Sequence, residues 1–143
     1  MMSDKVTLQH RQRAACIYIR QSTMSQVLHH QESTQRQYAL REKAIAMGRP
    51  PSQVRVLDRD LGLSAAQADN RGDFKPLVAD VSMGRVGAVF ALEVSRLARS
   101  CADWHRLIEL CAITGTLLID EDGCYDTSDF NDQLLLGLKR HIA

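Results

Sequence analysis

"VGAVFAL", residues 86–92, is an apolar run without a single polar member. Successive side chains of a strand point to opposite faces, so a strand with one wet face alternates polar and apolar residues. A run that never alternates suits a strand buried on both faces. That is the condition of a parallel sheet covered by helices. Working outward, the stretch at about 73–83 reads as a short helix, ended by Gly84 or Gly87. Downstream comes "EVSRLARS" (93–100), where Ser100 with Asp103 three residues on resembles a capping arrangement. It opens a helix predicted to run through about 113. "GTLLID" (115–120) is the next strand, ending at Asp120, and "EDGCYDTSDFND" (121–132) reads as a loop.

The upstream half shows the same alternation of elements. Residues 14–19, overlapping "ACIYIRQS" (15–22), form a first strand. The stretch 31–47 is rich in Gln, Ala, Arg and Glu and reads as a helix, stopped by Gly48 and Pro50-Pro51. "QVRVL" (53–57) alternates and reads as a second strand, followed by an irregular loop, "DRDLGLSAAQADNRGD" (58–73). A last helix takes Ser128 or Asp129 as N-cap with Asp132 in its first turn. It carries Leu134, Leu135, Leu138 and Ile142 on one stripe, with Leu136 beside it. That apolar stripe calls for a partner chain or the domain's own sheet. Strands alternating with helices predict an α/β fold with a mostly parallel central sheet. The 143 residues suit one domain.

Bulk chemistry narrows the function classes. The net charge of +1 argues against a strongly basic nucleic-acid glue. Yet 14 of the 18 basic residues are arginine, whose planar fork grips phosphate where lysine acts as a point charge. High-GC coding bias would produce the same excess, so composition leaves this even. No apolar run approaches the length of a membrane span, and the start is too polar for a signal peptide. A cytoplasmic protein is expected. Cys16, Cys101, Cys111 and Cys124 lack the paired spacing of a metal site and read as small core hydrophobes. His29 and His30 are adjacent, cannot share a helix face, and read as solvated. The chain has neither GxxxxGK[ST] nor GxGxxG.

Ligands of open α/β sheets bind outside the carboxyl ends of the strands. Each predicted strand here exits into reactive residues. The first gives Arg20 and Ser22, on one face with Tyr18. The second gives Asp58, Arg59 and Asp60, with Arg71 across the loop. The third gives Glu93, Ser95, Arg96 and Arg99, and the fourth Asp120, Glu121 and Asp122. Arg96 and Arg99 share a face if their segment is a helical turn, with Leu97 turned into the core. A serine hydroxyl needs activation to attack. No GxSxG elbow exists, and no histidine falls near a strand exit. Clustered arginines instead favour phosphoryl chemistry, where they stabilise the charge of the transition state. A rival reading places a divalent metal on Asp58 and the acidic trio 120–122. Consecutive residues alternate faces, so the three cannot readily share one ion, and a solvated loop is the simpler reading.

"YIRQS" (18–22) resembles the Y-x-R-x-S motif of the serine recombinases, the resolvase/invertase family. "STQRQYALREKA" (33–44) resembles a family helix, "DLGLSAAQADNRGDF" (60–74) its glycine-containing loop, and "EVSRLARS" its (D/S)-R-x-x-R motif. "EDGCYDTSDFNDQLLLGLK" (121–139) looks like the approach to the family's long helix. In this order and spacing the motifs together are highly specific, and they cover about 14–140. Serine at position 95, where resolvases often carry aspartate, leans toward the large serine recombinases.

The resemblance implies a resolvase-like three-layer α/β domain with a mostly parallel sheet flanked by helices, plus the start of a long C-terminal helix. It implies a catalytic domain over 14–127 behind a flexible extension at 1–13, and a dimerisation helix beginning at 128–143. The family's DNA-binding domain is expected beyond Ala143. The implied activity is site-specific breakage and rejoining of double-stranded DNA. Ser22 would form a 5′-phosphoserine link, with Arg20, Arg71, Arg96 and Arg99 on the phosphate. Tyr18, Gln35, Asp58 and Ser95 would support them. The resemblance implies no metal and no cofactor, a homodimer and synaptic homotetramer for the full-length protein, and a nucleoid setting in a prokaryote or phage. A non-catalytic, DNA-associated dimerisation module is the alternative that keeps the fold without the chemistry.

Overall fold

A computed structural model describes residues 6–21, 30–61, 74–98 and 100–142. Five strands form one sheet in the order β2-β1-β3-β4-β5. They are β1 (Ala14–Gln21), β2 (Val54–Leu61), β3 (Val86–Phe90), β4 (Leu117–Ile119) and β5 (Cys124–Asp126). The first four run parallel, and β5 returns antiparallel to β4. The helices are α1 (Leu8–Gln12), α2 (His30–Ala46), α3 (Phe74–Ser82), α4 (Cys101–Thr114) and α5 (Phe130–Ile142).

Strand alternation sorts the core into two halves. Cys16, Tyr18, Val89 and Leu118 face one side, packed with Phe74, Leu77, Val81, Trp104, Leu107 and Leu136 from α3, α4 and α5. Ala15, Ile17, Ala88, Phe90, Leu117 and Ile119 face the other, under Leu40 and Ala44 of α2. Every residue of β3 is buried, as the unbroken apolar run predicts. The three-layer α/β architecture follows from these two apolar faces needing helical cover.

Local signals explain the boundaries. The Ser100 hydroxyl accepts from the Asp103 N–H at 3.0 Å and starts α4. Gly115, at φ 72°, closes it with the left-handed turn that a side chain disfavours. Gly84 ends α3 at φ 74°. Gly87 does not end a helix. It lies inside β3, where a Cβ would run into the His10 carbonyl oxygen of α1.

Three expectations change. The loop expected across 121–132 contains β5, because Cys124 and Tyr125 find partners in Ile119 and Leu118. The second strand runs on through Leu61 along β1, so 58–61 is not loop. The segment expected to be a flexible extension holds α1, and the buried Arg49 pins it by donating to the carbonyls of Arg13 (3.1 Å) and His10 (2.6 Å).

The stripe of α5 also divides differently. Leu136 is the buried anchor, while Leu134, Leu135 and Leu138 are at least half exposed. The stripe therefore does not lie on this domain's own sheet.

Candidate active site

The carboxyl edge of the sheet is stepped. The last pair between β1 and β3 is Ile17 with Phe90, so β1 runs four residues beyond its neighbour, to Gln21. On the other side the β1–β2 register shifts between Tyr18 and Arg20, from Tyr18↔Leu57 to Arg20↔Asp60. The extra β2 residue is a bulge, a device that re-aims side chains next to functional sites. Tyr18 is buried, and its ring packs against Phe74 at the start of α3, 6.0 Å between centroids.

The chain leaving β3 stays with β4 for one more residue. The Ala91 N–H donates to the Ile119 carbonyl at 3.0 Å, and a 3-10 turn follows at Val94–Arg96. Val94 and Ser95 are buried, Arg96 is exposed, and Leu97 returns to the core as its spacing predicts. Arg96 pairs with Glu93 at 2.9 Å, both side chains more than half exposed. Such a pair contributes little in water and is readily exchanged for a better anion.

Asp120 is the largest departure from the sequence reading. It is not a solvated loop acid: it is 2% exposed. Its Oδ2 accepts from the Val94 N–H at 3.1 Å, and its Oδ1 accepts from the N–H groups of Asp122 (2.9 Å) and Gly123 (3.1 Å). Its carbonyl accepts from Lys43 Nζ of α2 at 3.4 Å. Both carboxylate oxygens are thus engaged by backbone, and Asp122 is turned to Lys139 at 3.0 Å. Among the described residues no three His, Cys, Asp or Glu side chains are grouped to hold a metal ion.

The turn is held from its other side as well. Arg140 Nη1 of α5 donates to the carbonyls of Ser95 and Ala98, each at 2.8 Å, and its guanidinium lies 5.4 Å over the Trp104 ring. Sequence reasoning did not single out Arg140. Asp120 it saw only as one of an acidic trio, although Asp at a strand end followed two residues later by Asp-Gly signals a side chain that caps its own turn.

The predicted site residues therefore divide. Arg20 lies near the carboxyl end of β1, and Ser95 and Arg96 lie in the 3-10 turn that follows the carboxyl end of the neighbouring parallel strand β3. Asp58 is a β2 residue beside the bulge, and Gln35 is exposed on α2. Ser22, Arg71 and Arg99 lie outside the described residues. Three of the cysteines are buried, and Cys101 is exposed at the start of α4. Burial pushes the Cys111 thiol up to about 12 and raises that of Cys16, so both are inert core groups.

The family model for the resolvase N-terminal domain matches residues 15–143. The chain belongs to this family. The resolvase-type domain is 56% identical over 135 residues to the uncharacterized protein y4bA/y4pH of Sinorhizobium fredii. That match covers 94% of the chain but spans 20% of the relative's length. Among solved structures, the N-terminal catalytic domain of TP901-1 integrase superposes with a TM-score of 0.59 at 24% identity. The superposition covers 91% of this chain and 93% of the integrase domain, a likeness of fold. By family the chain is a resolvase N-terminal domain, and its architecture is that of an integrase catalytic domain. No helix among its described residues is long and apolar enough to cross a membrane.

Proposed function

We propose that this domain breaks and rejoins double-stranded DNA at specific sites through a serine nucleophile. The observation that carries the reading is the overhang of β1. The strand bearing Arg20 and leading directly into Ser22 sits between β2 and β3 and outruns β3, whose chain continues into the turn bearing Arg96. Phe74, three residues after Arg71, packs on Tyr18 of the same strand. Arg99 follows the buried Ala98 and precedes the Ser100 cap. Chain connectivity supports a convergence of four guanidinium groups around one hydroxyl.

In this reading Ser22 Oγ attacks a DNA phosphorus. The new O–P bond forms as the bond to the 3′ oxygen breaks. Oγ gives up its proton, and the departing 3′ oxygen takes one up as a hydroxyl. The arginines Arg20, Arg71, Arg96 and Arg99 neutralise the charge that builds on the non-bridging oxygens. The phosphoserine diester conserves the bond energy, so attack by a 3′ hydroxyl reverses the step without metal or nucleotide. Tyr18 supports the strand, and Gln35, Asp58 and Ser95 act around the arginines. Phe130, Leu134 and Leu138 on α5 are exposed and suit a dimer that assembles to a synaptic tetramer. Residence on DNA in a prokaryotic cytoplasm fits this reading.

The test is recovery of protein-linked DNA, under denaturing conditions, from host cells expressing the complete protein. Wild type should carry a phosphodiester on Ser22, located by mass spectrometry after nuclease digestion, and Ser22→Ala should carry none. An adduct on any other residue overturns the assignment.

A further inference from the structure

We infer that Asp120 is a positioning residue for the Arg96 turn, coupling the exits of β3 and β4; this deepens the recombinase reading and rests on it. Ten residues separate the end of β3 from the first residue of α4. They contain one short 3-10 turn, so their geometry depends on what grips their backbone. Asp120 supplies a grip on the Val94 N–H, two residues before Arg96.

The chemistry of the contact selects aspartate. A buried carboxylate is costly unless its oxygens are satisfied. Here three backbone N–H groups satisfy it, reaching it from two different segments. One oxygen serves Val94 and the other serves Asp122 and Gly123. Asparagine has one accepting oxygen and an amide that only donates, so whichever way it turns, one segment meets a donor instead of an acceptor. The carboxylate therefore clasps two strand exits that no backbone ladder joins at that point. Lys43 ties α2 to the same residue through its carbonyl.

The consequence is rigidity where the proposed reaction needs it. Arg96 is exposed, and a long side chain is only as well aimed as its backbone. Misplacing a phosphate-binding group by about 1 Å costs on the order of 100-fold in rate.

The test compares wild type, Asp120→Asn and Val94→Pro in the complete protein. Val94→Pro deletes the same hydrogen bond from the donor side. The preceding Glu93 is extended (φ −134°, ψ 114°), as a residue before proline prefers, so this variant carries the test if Asp120→Asn fails to fold. Two quantities are read from host-cell DNA: formaldehyde-crosslinked occupancy and denaturant-resistant covalent adduct. Adduct should fall about 10- to 100-fold at unchanged occupancy, read at a temperature well below the melting of either variant, whose melting temperatures fall modestly because a buried partner is left unpaired. A loss of adduct that merely parallels lost occupancy overturns the positioning role. Undiminished adduct in both variants overturns it while leaving the recombinase reading intact. Absence of adduct from wild type overturns the reading and this inference together.

Discussion

The His10 imidazole bridges α1 to the turn before β4, with Nε2 at 2.8 Å from the Gly115 carbonyl oxygen. The other ring nitrogen, Nδ1, accepts the Thr7 N–H at 2.9 Å. A nitrogen that accepts carries no proton, so the ring is neutral with its hydrogen on Nε2, donated to Gly115. Burial lowers the His10 pKa below its ordinary 6.5, and nearby Arg13 and Arg49 add to this against the opposing pulls of the Gly115 hydrogen bond and Asp126. The unfolded chain then binds the proton more readily than the folded one. Stability contributed by His10 is complete above about pH 6.5 and is lost as pH falls below it. Urea unfolding from pH 5 to 8 should show a wild-type advantage over His10→Ala that shrinks toward acid. A difference that is flat or grows toward acid would exclude this linkage.

Arg49 is 2% exposed, yet it carries a charge into the space between α1 and the sheet. Its donations to the Arg13 and His10 carbonyls, from Nε and Nη2, use the fork geometry of guanidinium. Arg49→Met should cost about 2–3 kcal/mol, as charged hydrogen bonds are lost and buried carbonyls are left unpaired. Arg49→Lys should recover only part of that. Denaturant midpoints would measure both, and limited proteolysis should cut residues 6–13 faster in either variant.

Gly87 faces the same helix. A methyl group there would collide with the His10 carbonyl, so Gly87→Ala should push α1 off β3. Overpacking of this kind costs about 1–3 kcal/mol. The same substitution in a chain lacking residues 1–12 should cost markedly less, because the obstruction has gone. Equal losses in both backgrounds would argue for a different cause.

Glu93 and Arg96 form an exposed pair at the proposed phosphate edge. Glu93→Gln should change stability by less than about 1 kcal/mol. If Arg96 is exchanged from Glu93 to phosphate during reaction, the variant should form covalent adduct at least as fast as wild type. Slower adduct formation in Glu93→Gln would mean that the carboxylate itself assists the reaction.

Leu134, Leu135 and Leu138 are half or more exposed while Leu136 is buried, so one helix carries both a core anchor and a free apolar face. Leu138→Glu should leave the unfolding midpoint nearly unchanged and weaken self-association of the complete protein in sedimentation velocity. Leu136→Ala should do the reverse, costing about 2–5 kcal/mol of stability.

The order of elements was written in local pattern. The apolar run at 86–92, the Ser100 cap and the stop at Gly48 each act through neighbours in the chain, and the sheet contains them nearly where they were expected. The resemblance of "YIRQS" and "EVSRLARS" was likewise legible, and the family match bears it out. Leu97 turns inward because its spacing leaves it no other face. What local pattern could not supply is whatever depends on residues far apart meeting. Asp120 and Val94 are 26 positions apart, and His10 and Gly115 are 105 apart.

By itself the sequence determined an α/β domain whose strands end in guanidinium, hydroxyl and carboxylate groups, because side-chain periodicity and chain-local capping need no partner. Only the tertiary structure decided which of those groups are structural. An acid becomes a backbone clasp, and a polar leader becomes a pinned helix, when burial leaves unpaired N–H and C=O groups that must find a partner wherever the fold brings one.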